Sequence, residues 1–363
     1  MNNITAFDLE STKNIRKKTN ELKSYYLMNK DTKVCMFDRK TGEANILQEN
    51  LMPLDLYLEY GTDADVFNNR QVFDWWCAKR ILSLDREYAK IILNSCGLKQ
   101  AVTDSERATI ALQYKCLSLR DFFWVKNVQD KSSWDDVNLF KNHLSNAIVD
   151  IALNGKPLTL TNTQLITTDL STDGIMPKAW YRKGNTFILY KGNKDNSVEK
   201  EVRASQILRE LGLNVLKYCL TEYNGTKVSA CECFTSEDIG YITAGDLNSN
   251  WELNIDCREY FEMLLADYLI GNSDRHQDNW GYLFDSQCKI IAFAPIFDFN
   301  HAFEAPTDYT CLPEMLLGRK KTLIESAKES IKKLEYTLQK IPEIDDYTGF
   351  VNERIQLLNS LNN

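Results

Sequence analysis

Residues 271–281 read GNSDRHQDNWG, and residues 294–300 read APIFDFN. The two segments combine a carboxylate at Asp274, an amide oxygen at Asn279 and a second carboxylate at Asp298. A carboxylate can orient an attacking hydroxyl group, and side-chain oxygens are the ligands that Mg²⁺ prefers beside phosphate groups. The three residues therefore predict a site for phosphoryl transfer from ATP.

The residues between the two segments explain how Asp298 can return to Asn279. Short apolar runs at 280–284 and 289–293 are separated by a polar stretch, which is the pattern of a β-hairpin. Upstream, apolar residues three and four apart predict a helix over 255–270 that stops at a glycine. The first segment is therefore expected to start at a rigid helix end, and the hairpin to bring the second segment beside it.

At these residues the chain resembles the HipA-like kinases, a family of bacterial serine/threonine kinases, and more distantly the phosphoinositide kinases. Both use an Asp-x-His-x-x-Asn loop followed by a second Asp, so we name the two segments the catalytic loop (271–281) and the metal loop (294–300). The resemblance implies that Asp274 orients or deprotonates a Ser/Thr hydroxyl group and that Asn279 and Asp298 hold Mg²⁺. It assigns His276 to bracing the catalytic loop, although a role as the base itself stays open.

The resemblance extends upstream to a phosphate-binding loop. The residues from Ser171 to Lys178 match the family pattern Ser-x-x-Gly-x-x-x-Lys. The pattern implies that the backbone at Gly174 approaches the phosphates of ATP and that Lys178 adds a positive charge. It also implies that Ser171 is a regulatory site of autophosphorylation, with Thr172 as an alternative acceptor.

A lysine and a glutamate follow in the order found in kinases. A predicted strand at 186–190 ends in Lys191, placed as the phosphate-binding lysine of a kinase would be. In the family, a helix then begins with a Glu that pairs with this lysine and ends in a Gly eleven residues later, which Glu201 and Gly212 match. Glu199 is the alternative partner.

Two further predicted strands lead to the position where adenine binds in kinases. The strands, at 215–222 and 227–234, are joined by an Asn-Gly pair, a strong signal for a tight hairpin. The second strand ends around Glu232 and Phe234, where a kinase chain crosses between lobes and its backbone contacts adenine. Two cysteines lie in this strand, and we interpret them as structural because no second paired-cysteine motif accompanies them.

Composition fits a soluble enzyme. The chain has 363 residues, 44% of them apolar, and a formal net charge of −8, which disfavours direct nucleic-acid binding. Its start lacks the pattern of a signal peptide, and no apolar stretch is long enough to span a membrane. Ten cysteines without regular spacing then indicate reduced thiols and a cytoplasmic location.

Helical spacing recurs in both halves of the chain. The predicted helices of the first half are at 54–60, 72–84, 86–98, 106–114 and 139–153, and those of the second half, besides 255–270, are at 319–341 and 349–361. We therefore expect an α+β protein with a two-lobed protein-kinase-like fold: a helical accessory region of unknown role at 1–154, a small strand-rich lobe at 155–235 and a helical lobe at 236–363.

The leading interpretation is an ATP- and magnesium-dependent serine/threonine kinase that also phosphorylates itself. The expected partners are a protein substrate and, by the resemblance, an antitoxin-like protein. A lipid or small-molecule kinase and an ATP-binding pseudokinase remain as alternatives. The intact Asp274, Asn279 and Asp298 set disfavours a pseudokinase, and residues 300–313 are not the basic loop expected of a lipid kinase.

Overall fold

The computed structural model of the chain describes residues 24–81, 103–142, 178–192, 196–223, 225–247 and 255–362. Ser171, Thr172 and Gly174 lie outside these ranges, as do the predicted helix at 86–98 and most of the one at 139–153. We name residues 24–81 and 103–142 the N-terminal unit.

The described strands form three antiparallel sheets. They are β1 (Ser24–Asn29), β2 (Thr32–Asp38), β3 (Ala44–Ile46), β4 (Phe123–Asn127), β5 (Lys178–Lys183), β6 (Thr186–Gly192), β7 (Tyr218–Tyr223), β8 (Thr226–Glu232), β9 (Ile239–Thr243), β10 (Gly281–Asp285) and β11 (Ile290–Phe293). The described α-helices are α1 (Val66–Ala78), α2 (Asp104–Gln113), α3 (Trp134–Val137), α4 (Ser197–Glu210), α5 (Arg258–Ile270), α6 (Leu312–Leu316), α7 (Leu323–Leu334) and α8 (Asp346–Asn362).

The first sheet, with the order β3-β2-β1-β4, lies within the N-terminal unit. The expectation of a mainly helical accessory region is therefore wrong for its described part, which combines a sheet with helices. The signal that sequence reasoning missed is a hairpin: Lys30 turns the chain with φ of +49° between two short runs that contain Tyr, Val and Phe.

Two predicted helices of the N-terminal unit also need correction. Leu54, Leu56 and Leu58 are all buried, and their spacing of two fits the extended, non-helical chain seen at 54–60. The helix predicted at 72–84 begins earlier, as α1, because the Asp65 side chain accepts hydrogen bonds from two backbone N–H groups of its first turn. The helix predicted at 106–114 is confirmed as α2, which starts with a capping box.

The second sheet has the order β5-β6-β8-β7 and packs against α4. It confirms the strands predicted at 186–190, 215–222 and 227–234, and Gly225 makes the turn between β7 and β8 with φ of +80°. In the register of β5 and β6, Lys178 lies opposite Lys191. The sheet therefore places the two predicted phosphate-binding lysines side by side.

The third sheet, with the order β11-β10-β9, follows the catalytic loop directly. Its β10–β11 hairpin is the predicted one, and a parallel bridge between Val215 and Ile296 then carries the metal loop toward the second sheet. Helix α5 is buried from Tyr260 to Ile270 and ends at Gly271, which has φ of +57°. The hairpin and the helix end thus bring both loops to one place, as predicted.

The helices at the end of the chain pack around α5. The helix predicted at 349–361 is confirmed as α8. The one predicted at 319–341 is shorter: α7 starts after a capping box between Thr322 and Glu325 and ends where Glu335 takes φ of +54°. None of the helices in the described ranges is both long and apolar enough to cross a membrane.

The N-terminal unit packs directly against the third sheet. The Phe284 ring of β10 lies 5.4 Å from the Phe122 ring and 6.2 Å from the Phe123 ring, measured between centroids. The backbone N–H of Tyr241 in β9 donates to the carbonyl of Arg120 over 2.7 Å. The accessory region therefore shares a core with the sheet that follows the catalytic loop.

Candidate active site

A buried arginine holds the catalytic loop. Arg275 is 2% exposed and donates to the carboxylate of Asp267 on α5, with Nε 3.0 Å from Oδ2 and Nη2 3.0 Å from Oδ1. Its Nη1 donates to the carbonyls of Asn279, over 2.7 Å, and of Phe297. One guanidinium group therefore fixes the end of α5, the catalytic loop and the metal loop to one another.

Sequence reasoning missed both members of this ion pair. Asp267 interrupts an otherwise apolar helix face, which was a readable signal of a buried charge, but the sequence did not indicate Arg275 as its partner. Asn272 adds to the brace, because its Nδ2 donates to Asp267 Oδ1 over 2.9 Å.

The candidate base lies between this brace and the surface. The Asp274 backbone N–H donates to Asn272 Oδ1 over 3.1 Å, and its carbonyl accepts from Asn279 Nδ2 over 2.9 Å. The Asp274 side chain is 42% exposed, so a substrate hydroxyl group can reach it. Burial of the rest of the group raises the pKa of Asp274, while His276 and His301 oppose that rise. The carboxylate is therefore accessible and somewhat more basic than an ordinary Asp.

His276 lies at the mouth of the loop. Its Nδ1 accepts a hydrogen bond from the backbone N–H of Asp278 over 3.2 Å, and its Nε2 is 3.9 Å from Asp274 Oδ2. The side chain is 45% exposed, and the interaction with the Asp278 side chain raises the pKa of His276. Its contacts are local to the loop, whereas those of Arg275 reach the buried core.

On the other side of the site, one buried lysine contacts two carboxylates. Lys191 Nζ lies 2.6 Å from Glu201 Oε1 and 2.8 Å from Asp298 Oδ1. Ser229 Oγ donates to the second oxygen of Glu201 over 2.6 Å. The predicted pair of Lys191 with Glu201 is therefore present, and the alternative partner Glu199 instead pairs with Lys227 at 2.8 Å.

The helix that carries Glu201 differs from the prediction in one respect. It begins at Ser197, so Glu201 lies in its second turn and not at its start. At that position the side chain points into the core, where it is 1% exposed. Glu199, in the first turn, is 27% exposed and pairs with Lys227, so it does not hold the buried lysine.

Asp298 is held in an unusual backbone conformation. Its φ is +63°, a left-handed conformation that Asp tolerates better than most residues, and its N–H donates to the Tyr218 hydroxyl group over 3.3 Å. Burial would raise the pKa of Asp298, but Lys191 and then Lys178 outweigh burial and lower it far below its usual range. Asp298 is therefore ionised and lies within the field of both lysines.

The residues predicted to contact adenine lie at the end of β8. Glu232 pairs with Ile188 in the sheet, and the next backbone N–H, of Cys233, donates to the carbonyl of Phe187 over 2.9 Å. The Phe234 ring lies 5.7 Å from that of Phe297, the residue before Asp298. This position therefore adjoins the metal loop.

Across the part of the chain that the structure describes, no three His, Cys, Asp or Glu side chains form a metal-binding group. Asn279 and Asp298 alone fit Mg²⁺ only in company with phosphate oxygens and water, which is how this ion is usually held in phosphoryl-transfer enzymes. The donor set therefore fits a metal that enters with a nucleotide.

A buried lysine between two carboxylates, beside a loop with an accessible Asp, is the arrangement of the kinase class. Comparison with known proteins supports that class. No family model matches the chain. The chain is 33% identical over 128 residues to the serine/threonine-protein kinase CtkA of Helicobacter pylori. The matched region covers 28% of this chain and 39% of that protein. The chain thus spans about two fifths of the length of this curated relative.

Two solved structures are similar. A chain from the complex of HipA, HipB and operator DNA of the Shewanella oneidensis toxin–antitoxin system matches with a TM-score of 0.51 at 13% identity, over 93% of this chain and 99% of that one. The crystal structure of the H. pylori proinflammatory kinase CtkA matches with a TM-score of 0.38 at 18% identity, over 50% of this chain and 90% of that one. The predicted resemblance to the HipA-like serine/threonine kinases is thereby confirmed.

Proposed function

We propose that the protein is an ATP- and magnesium-dependent serine/threonine kinase that acts on a protein substrate in the cytoplasm. The observation that carries the proposal is the position of Asp298, which contacts Lys191 and is tied to the catalytic loop through Arg275. The groups proposed to bind phosphate, to bind metal and to act as the base are thus linked to one another.

Each residue has a distinct task in this proposal. Asp274 accepts a hydrogen bond from the Ser or Thr hydroxyl group of the substrate and receives its proton at a carboxylate oxygen. Lys191, oriented by Glu201, and Lys178 bind phosphate oxygens of ATP. Asn279 and Asp298 would hold Mg²⁺, which when bound neutralises charge on the phosphates. His276 holds the turn of the catalytic loop.

The remaining assignments extend the same proposal. The backbone around Glu232 and Phe234 binds adenine, and Gly174 lets the phosphate-binding loop approach the nucleotide. The regions 155–235 and 236–363 act as the small and helical lobes of a kinase. An antitoxin-like protein is a proposed partner, since one similar chain comes from a complex of HipA with HipB.

Autophosphorylation at Ser171 is the proposed regulation. A phosphate there would add about −1.5 to −2 charges beside the site for the phosphates of ATP, and the repulsion would inhibit the enzyme. The neighbouring Asp173, already acidic, departs from the family and would weaken the effect.

The test is incubation of the pure protein with labelled ATP and Mg²⁺, followed by mass spectrometry of the chain and of candidate acceptors. We expect label on Ser or Thr side chains, including Ser171 or Thr172, and at least about 100-fold slower labelling in Asp274→Asn. Label on a lipid or a small molecule alone would favour a lipid or small-molecule kinase. Binding of ATP without any transfer would favour a pseudokinase.

A further inference from the structure

Two cations of the N-terminal unit converge on one carboxylate near the catalytic loop. Lys79, which follows α1, donates to Asp246 Oδ1, and Arg120 Nη2 lies 3.3 Å from Asp246 Oδ2. The Asp246 side chain is 13% exposed. Burial would raise the pKa of Asp246, but Arg120 and Lys79 outweigh burial and lower it. The N-terminal unit therefore holds an ionised carboxylate from two sides.

The turn that carries Asp246 is bonded to the backbone of the catalytic loop. The Ala244 N–H donates to the carbonyl of Trp280 over 2.9 Å, and the Gly245 N–H donates to the carbonyl of Gln277 over 3.0 Å. A Cβ atom at Gly245 would lie 2.6 Å from Gln277 Cγ, so turn and loop are in close contact. These carbonyls flank the candidate metal ligand of the loop.

The turn itself is closed by its own hydrogen bonds. The Asp246 N–H donates to Thr243 Oγ1 over 2.9 Å, and the Leu247 N–H donates to the Thr243 carbonyl over 3.1 Å. The carboxylate and the two N–H groups that reach the catalytic loop therefore belong to one compact turn. A shift of the Asp246 side chain would displace those N–H groups as well.

We propose that Asp246 is a positioning residue, through which Lys79 and Arg120 of the N-terminal unit set the geometry of the catalytic loop. The proposal rests on the proposed kinase function and gives the N-terminal unit a role in it. The unit is then a working part of the active site and not a separable appendage. Asp246 does not contact substrate; it acts through the backbone of the loop.

A second ion pair across the same interface supplies a matched control. Lys30 of the N-terminal unit pairs with Asp238, whose side chain is 79% exposed and which immediately precedes β9. This pair also joins the N-terminal unit to the rest of the protein but has no described hydrogen bond to the catalytic loop. Lys30→Met therefore loosens the interface without touching the turn at Asp246.

The experiment compares the full-length wild type with Asp246→Asn, Lys79→Met, Lys79→Arg and Lys30→Met. Turnover of ATP with Mg²⁺ gives kcat and KM, and amide hydrogen exchange without ATP reports protection at 243–247 and 275–281. We expect Asp246→Asn to lower kcat by about tenfold to a hundredfold, as for a slight misplacement of catalytic groups, with the KM for ATP changed less than about twofold. Protection of Ala244 and Gly245 should fall in parallel.

The lysine variants sharpen the result. Lys79→Met should show a smaller loss of kcat, because Arg120 remains on Asp246. Lys79→Arg should recover the kcat lost in Lys79→Met, because it retains a cation that can pair with Asp246. Lys30→Met should match the wild type in both measurements.

Three results would overturn the proposal: unchanged kcat and exchange in Asp246→Asn, an equal loss in Lys30→Met, or no recovery in Lys79→Arg. If Asp246→Asn failed to fold, Lys79→Met, which keeps one cation on the carboxylate, would decide. If the wild type showed no ATP turnover, the kinase proposal would fail. The exchange data would then still decide whether Asp246 positions the loop.

Discussion

Two buried charge clusters border the catalytic loop, and they are paired in opposite ways. The first joins Arg275 to Asp267, one cation to one anion, and Arg275 also donates to two backbone carbonyls. The second places Lys191 between Glu201 and Asp298, one cation between two anions. The first cluster is closed, whereas in the second, which we call the open cluster, one lysine is shared between two carboxylates.

The difference identifies which cluster is scaffold and which is site. A buried pair with matched charge and satisfied hydrogen bonds has nothing to offer a ligand, and breaking it leaves an uncompensated charge. A partly exposed carboxylate that shares its lysine with a second carboxylate can still bind a further cation. The exposure of the two carboxylates supports this assignment of site and scaffold. The Asp298 side chain is 20% exposed, whereas that of Asp267 is 1% exposed. The comparison can be tested by removing one charge at a time.

The largest effect is expected at Asp274, which lies between the clusters and belongs to neither. Asp274→Asn keeps the shape of the side chain but removes its ability to take a proton, so phosphoryl transfer should fall by about 10²–10⁴-fold. The affinity for ATP, followed by thermal shift, should stay within a few-fold, because Lys191 and Asp298 are untouched. Full activity in Asp274→Asn would remove the residue from the proposed mechanism.

In the closed cluster, Arg275→Met should destabilise the fold. The substitution leaves the buried Asp267 carboxylate without its cation and frees two carbonyls, so the free energy of unfolding should fall by about 3–5 kcal/mol. Urea denaturation of the wild type and of Arg275→Met measures the difference in the free energy of unfolding. Asp298→Asn is the control, because Lys191 retains Glu201 there and the loss should be much smaller. A loss of the same size in both variants would erase the distinction between scaffold and site.

In the open cluster, Asp298→Asn should abolish the magnesium-dependent part of ATP binding. Asn suits the left-handed φ of +63° that Ala would strain, so this variant removes charge while keeping the backbone. At ATP concentrations about 100-fold above Kd, ligand stabilises a protein by about 2.7 kcal/mol. Thermal unfolding is measured with ATP, in the presence and absence of Mg²⁺. The additional rise in Tm that Mg²⁺ causes in the wild type should be absent in Asp298→Asn. A metal increment equal to that of the wild type would exclude Asp298 as a ligand.

The sequence predicted the loop residues of the candidate site better than the closed cluster, for a physical reason. Asp274, Asn279 and Asp298 lie in short loops whose spacing follows from the chemistry, and the hairpin between them has clear local signals. Arg275 and Asp267 come into contact only because α5 ends and the chain turns back on it. Such a contact depends on the tertiary structure and not on local sequence. The spacing of the loop residues gave no hint of that contact.

The N-terminal unit shows the limits of periodicity. Its apolar residues at 54–60 alternate, and short runs such as this fit either a helix or an extended chain until their packing partners are known. Three of the four strands of the second sheet were predictable because they are bounded by a glycine turn and by a helix with a marked stop; β5 was not predicted. The contact of Lys79 and Arg120 with Asp246 joins residues far apart in the chain, and a single sequence carries no signal for it.

The smallest effect is expected at Glu201, the glutamate that contacts Lys191. Glu201→Gln leaves Lys191 with Asp298 alone, so the lysine should be held less firmly at the phosphate site. The KM for ATP should therefore rise by roughly tenfold, equivalent to about 1.4 kcal/mol.

Glu199→Gln is the matched control. Glu199 lies two residues earlier in the same helix, and its substitution breaks only the pair with Lys227, whose side chain is 54% exposed. Exposed pairs of this kind contribute little, so its KM should match the wild type. Steady-state kinetics at fixed Mg²⁺ compares the three proteins. A rise in KM for Glu199→Gln as large as that for Glu201→Gln would mean that the open cluster responds to charge in general, and that Glu201 has no specific part in orienting Lys191.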